Sequence, residues 1–189
     1  MDRKDFLKTV GQVGIISGAV AALGGQCTCF AAATEAPATK STPCEEKQEW
    51  IEGWTKRFFD NLDSELDQTT RIKLLVANGR ACYRHSREGR TATPISINKL
   101  VDKLQKYEGK ENVRLEDNIV YFNYQTPDGK CLCPLVEAGP KELSHTYCNC
   151  SVGYVTEMFS QAIGKPVAVE LLESLRRGGT GCKFKVTPA

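Results

Sequence analysis

Nine cysteines and two histidines are the residues of this 189-residue chain best suited to chemistry, and their spacing is not uniform. Two pairs have the form Cys-x-Cys, Cys131-Leu132-Cys133 and Cys148-Asn149-Cys150. Both histidines stand close to thiols, as Cys82-x-x-His85 and as His145-x-x-Cys148. On an extended chain, residues two apart face the same side at roughly 7 Å. Each Cys-x-Cys pair is therefore expected to offer two sulfurs to one site. Four thiolates suit a tetrahedral zinc ion or an iron–sulfur cluster. Cys131, Cys133, Cys148 and Cys150 are the expected metal ligands, with Cys82 and His85 as auxiliaries on one helix face. Structural zinc sites favour two to four residues between paired ligands, a spacing that neither pair has.

Two other chemistries fit the same residues. Cys150 precedes Ser151, which reads as a helix cap, and the positive end of a helix dipole stabilises a thiolate. With His145 five residues upstream, a cysteine–histidine nucleophile in a hydrolase or thiol-dependent enzyme is the alternative. Glu157 and Glu170 are candidates for its third, orienting group by position only. In an oxidising compartment the cysteines would instead serve as disulfide staples with no site at all. Without Cys27 and Cys29, which lie in the leader described below, seven cysteines remain, an odd number that cannot pair fully within one chain. Cys182, at the start of a strand, reads as plain core.

The elements that must position these residues follow from periodicity. Trp50, Ile51, Trp54, Phe58 and Leu62 recur at three- and four-residue intervals, which predicts an amphipathic helix laid on a core. A second helix is expected from about Thr69, with a bend or an end at Asn78-Gly79, and the segment from Arg84 to Thr93 reads as a loop. Ser96 should cap a third helix, Ile97 to Tyr107. Residues Asn118 to Gln125 alternate as a strand, Pro127-Asp128-Gly129 is a turn, and a return strand from Cys131 to Val136 would complete a hairpin. Ser151 should cap a fourth helix that stops at Gly164. Val167 to Leu175 and Cys182 to Val186 flank Gly178-Gly179-Thr180-Gly181 as a second hairpin. The expectation is an α+β fold, an antiparallel sheet of two hairpins packed with about four helices.

Composition narrows the setting. Twenty-five basic and 23 acidic residues are interspersed, giving a formal charge of +2 and no basic tract to follow a phosphate backbone, so nucleic acid is not an expected partner. Residues 1–33 read as an export leader: Arg3-Lys4-Asp5-Phe6-Leu7-Lys8, then a Gly/Ala-rich apolar stretch from Val10 to Leu23, then Phe30-Ala31-Ala32-Ala33 as a cleavage region. The charged core resembles the twin-arginine consensus with Lys4 in place of the second arginine. The apolar stretch is short for a span, which needs about 20 residues, so no stable membrane span is expected after leader removal and the location is periplasmic or secreted. The Ala/Thr/Pro/Ser run of residues 34–43 reads as a flexible tether, and residues 44–189 as a single cysteine-rich domain.

The stretch from Lys130 to Val186 combines Cys131-Leu132-Cys133-Pro134, Cys148-Asn149-Cys150-Ser151, a valine-rich strand from Pro166 to Ser174, and the glycine turn and closing Cys-x-Phe strand from Gly178 to Val186. Its closing strand resembles that of vinyl-4-reductase-like domains and of proteins named L-2-amino-thiazoline-4-carboxylic acid hydrolase-like. The resemblance covers about a third of the chain and implies small apolar ligands or metal sites. Where such families would carry Cys-Gly-x-x-Cys, this chain has Asn78-Gly79-Arg80-Ala81-Cys82, which leaves Cys82 or His85 to supply a ligand from that segment. The leading expectation is an exported module that binds a metal ion or a small molecule.

Overall fold

The structure, a computed structural model, describes residues 43–88, 93–124, 131 and 144–189. The leader, the tether before Pro43, the Pro127-Asp128-Gly129 turn and Cys133 lie outside the described residues.

Helix α1 spans Pro43–Glu65 and α2 spans Gln68–Ser86. Asp67 caps α2, its carboxylate accepting the Thr70 amide at 3.0 Å, which satisfies one of the amides that a helix start leaves without a partner. Helix α2 runs unbroken through Asn78-Gly79 and on through Arg84 and His85, which were expected in a loop. The cap expected at Ser96 is present: its hydroxyl accepts the Lys99 amide at the start of α3, Ile97–Glu108. A 3-10 turn, His145–Cys148, runs directly into α4, Asn149–Ile163, which ends at Gly164 in the left-handed conformation, φ 69°. Ser151 therefore lies inside α4 and does not cap it. The N-cap position of α4 is Cys148, which makes no side-chain capping bond, and the Ser144 hydroxyl, which accepts the Thr146 amide, caps the 3-10 turn instead.

Strands β1 (Val113–Glu116), β2 (Ile119–Tyr124), β3 (Val167–Glu173) and β4 (Cys182–Pro188) form one antiparallel sheet in the order β1-β2-β4-β3. The β3–β4 hairpin around the glycine turn is the expected one. The first hairpin is not. The partner of β2 precedes it, and the two are joined by Asp117 and Asn118 with φ of 48° and 62°. Positive φ at both central residues is the geometry of a two-residue turn whose twist matches the strands. With β4 on its other side, β2 has both edges filled; residues 132–136 of the expected return strand lie outside the described residues.

One face of the sheet is covered and one is not. Val113, Val120, Phe122, Phe184 and Val186 are each no more than 2% exposed and pack with Leu104 of α3 and Phe159 of α4. The opposite face carries the cross-strand row Arg114, Tyr121, Lys185 and Glu170, which is half-buried or exposed. Helix α1 departs from expectation in the face that it buries. Thr55 and Phe59 turn inward, while Trp50, Trp54 and Phe58 are 64%, 49% and 43% exposed. Phe59 meets Tyr147 edge to face at 4.8 Å between ring centroids, whereas Trp54 and Phe58 stack on each other at 5.2 Å.

Candidate thiol site

Two of the described thiols, Cys148 and Cys150, lie in the 3-10 turn and the first turn of α4. Two backbones set the geometry. A Cβ added to Gly79 would stand 1.9 Å from the carbonyl oxygen of Cys150, and one added to Gly153 would stand 1.9 Å from that of Val76. Glycine at both positions lets α2 and α4 cross in backbone contact. Gly79 is thus no helix break; it is the point of closest approach, and it carries Asn78 to the start of α4. The Asn78 side-chain amide donates to Cys150 Sγ at 3.7 Å.

The turn is held from below by Asp63 at the end of α1. Burial pushes the Asp63 carboxyl up, but hydrogen bonds from Ser144, Arg71 and Thr146 outweigh it and leave the group below the usual range. Arg71 reaches it at 2.6 Å, so α1, α2 and the turn share one polar joint. On the other side, Arg177 donates to the His145 carbonyl at 3.4 Å, which ties the turn to a second 3-10 turn, Leu175–Arg177.

Cys148 and Cys150 do not share a side. Successive helical residues turn by roughly 100°, so positions two apart point in nearly opposite directions, and this segment is helical where an extended chain was expected. Cys150 Sγ meets Asn78 of α2. Cys148 is buried at 7% exposure and its sulfur accepts the Ser174 hydroxyl at 3.4 Å. Ser174, itself 1% exposed, sits at the end of β3 one step past the Glu173–Lys183 pair, and so lies across from Cys182. The Leu175 amide donates to the Cys182 sulfur; burial pushes the Cys182 thiol up, and the nearby Cys148 and Glu173 add to the rise. Cys182 packs against the main core cluster, as expected, and Cys148 is also near it.

Cys131 is half-buried and packs with Phe59, Leu75 and Tyr147. Tyr147 precedes Cys148 directly, so Cys131 packs against the same small cluster as the residue next to Cys148. Cys82 is exposed on α2, one turn beyond Asn78, and His85 is 85% exposed with Nδ1 3.4 Å from Glu88. His145 is exposed. Glu157 faces Arg84 at 3.2 Å and Arg80 at 3.8 Å across the helix crossing, and Glu170 lies in the sheet row opposite Lys185. Glu157 is thereby paired with the two α2 arginines. Among the described residues no group of three or more His, Cys, Asp or Glu is arranged to hold a metal ion, and no disulfide joins two of the described cysteines. No described helix is long and apolar enough to cross a membrane.

No curated protein matches the chain. Among solved structures, a vinyl-4-reductase family protein from Methanocaldococcus jannaschii is similar to it at 12% identity and a TM-score of 0.34, over 80% of this chain and 84% of that one. A family model described as "Family of unknown function (DUF6144)" matches residues 30–189. The chain therefore belongs to the DUF6144 family.

Proposed function

We propose that this chain is an exported binding module in which the Cys131–Cys133 pair and Cys150 hold a zinc ion, an iron–sulfur cluster or a small thiophilic ligand beside the 3-10 turn, with Cys148, whose sulfur is turned to Ser174, joining the shell only if the turn rearranges. The observation that carries the reading is that Cys131 packs against the small cluster to which Tyr147, the neighbour of Cys148, also belongs. The Asn78 amide supports it, since a donor aimed at the Cys150 sulfur stabilises thiolate charge. Thiolates are soft ligands that favour zinc and iron–sulfur clusters over hard cations. A leader with a twin-arginine character fits a protein exported after folding around such a group.

The test is elemental analysis of protein purified anaerobically without chelator. The reading expects a stoichiometric metal that falls by at least tenfold in Cys131→Ser and Cys150→Ser. An incomplete thiolate shell loses a large share of a binding free energy that is on the order of 10–16 kcal/mol for structural zinc. Folded wild-type protein that stays metal-free after anaerobic reconstitution with zinc, and with iron and sulfide, overturns the metal reading. Export is tested separately: replacing Arg3 and Lys4 together with glutamine should leave precursor in the cytoplasm.

A further inference from the structure

Trp50, Trp54 and Phe58 follow one another at four-residue steps along the outer side of α1 and are 64%, 49% and 43% exposed. Phe59 marks the inner side of that helix, and at roughly 100° per residue Trp50 lies opposite it. The stripe therefore points away from the small cluster and from the thiol segments. Trp54 and Phe58 hold each other as a stacked pair. A buried aromatic side chain covers about 150–250 Å², so the exposed parts of these three amount to roughly 300 Å², a patch of the size that marks a contact surface. Glu49 and Arg57 are exposed as well, and helical rotation sets both on the same flank of the stripe, about 12 Å apart along the axis. Among the described residues no ion pair engages either of them, whereas Asp60 is held by Lys56 and Asp63 by Arg71.

We infer that α1 is the surface through which two copies of this chain pair, antiparallel, aromatic stripe against aromatic stripe. In a two-fold contact between antiparallel helices each flank meets the same flank of the other copy, and flanking charges fix the orientation. Glu49 then stands opposite Arg57 of the second copy, and symmetry repeats the pair. The midpoint of positions 49 and 57 is one residue from Trp54, so the register that pairs the charges also sets the two Trp54 rings side by side at the two-fold axis. Asp60, which this register brings toward Glu46 of the second copy, is already neutralised by Lys56 at 2.6 Å. A membrane surface is a poorer occupant, because α1 carries seven acidic residues against three basic ones, whereas helices that lie on membranes are rich in Lys and Arg. A standard interface takes about 800 Å² from each partner. One helix face supplies less, so the two copies exchange with single chains at micromolar concentration.

The experiment is sedimentation equilibrium of the full chain from about 1 to about 200 μM, with tryptophan emission recorded on the same samples. The mass should rise from that of one chain, 20.8 kDa, toward twice that value. Emission should move to shorter wavelength in step, since both tryptophans of the chain lie in the contact. Trp54→Glu should raise the midpoint concentration at least about tenfold. Glu49→Arg and Arg57→Glu should each raise it by about threefold, and the two together should restore most of the pairing, which a merely adhesive surface would not do. A chain that stays single over the whole range overturns the inference, and so does pairing that Trp54→Glu leaves unchanged. Charge exchange without recovery overturns the antiparallel register. Emission that shifts only when phosphatidylglycerol vesicles are added gives the stripe to a membrane surface instead. The wild-type measurements are decisive even where a variant folds poorly. Metal content does not enter the readout, so this inference and the thiol proposal stand or fall separately.

Discussion

The two apolar clusters of this protein are built to different standards. Under the sheet, three valines at 0% exposure and the Phe122, Phe159 and Phe184 rings close a continuous layer between β-strands and helices α3 and α4. Around α1, among the described residues, Phe59, Leu75 and Tyr147 are buried together, with Leu62 and Cys131 at the margin, and Trp50, Trp54 and Phe58 of the same helix face outward. The first cluster sets the fold and the second seats the thiol segments. At the boundary between them Cys148 is tied to Ser174, while Cys131 lies at the margin of the smaller cluster.

Substitution sharpens that contrast. Phe159→Ala should cost about 3–5 kcal/mol, since the ring is fully buried and its cavity is bounded by sheet and helix; chemical denaturation would show it, and a loss comparable to that of a surface residue would dissolve the distinction between the clusters. Gly153→Ala should cost about 1–3 kcal/mol through overpacking at the helix crossing. It should also disturb the Asn78–Cys150 contact, visible as faster alkylation of Cys150. A smaller effect is expected from Glu108, at the end of α3, where burial pushes the carboxyl from 4.5 to about 7 and Oε1 is buried without a hydrogen-bond partner among the described residues. The folded state then holds a proton that the unfolded chain has released, so stability falls as pH rises from about 4.5 to 7 and levels off above. Glu108→Gln should flatten that slope in urea titrations across the range. Least of all, Trp54→Ala should change stability by less than about 0.5 kcal/mol, as expected of an exposed side chain; a larger loss would mean that α1 is held to the body through its outer aromatics.

Local signals with one meaning were readable from the residues alone. Ser96 before an amphipathic run, Gly164 after one, and four small residues between two alternating stretches gave a cap, a stop and a hairpin where the structure has them. Signals with two meanings misled. Gly79 inside a helix reads as a weak point, yet the same missing Cβ permits close approach, and only the partner helix decides between them. Asp117-Asn118 lacks the glycine that usually marks a tight hairpin, so β1 was not foreseen, although both residue types tolerate positive φ. Trp50, Trp54 and Phe58 share one stripe with exact four-residue steps, and the stripe one position over, Thr55 and Phe59, is the one that packs. The candidate site was legible as a set of residues and not as a geometry. Whether Cys148 and Cys150 point together depends on extended or helical backbone, which the Cys-x-Cys pattern does not specify.

The place of β2 in the sheet has a kinetic consequence. One of its neighbours, β1, is reached across a two-residue turn, and the other, β4, only after α4 and β3 have been laid down, as in the pairing of Val120 with Val186. A local hairpin forms in about 1–10 μs, whereas distant pairing is slow because chain closure must precede its reward. During refolding the β1–β2 hairpin therefore waits with one open edge carrying Val120, Phe122 and Tyr124, a template for pairing with another chain. Refolding yield should fall as protein concentration rises, and a peptide matching β4, added in excess, should restore it.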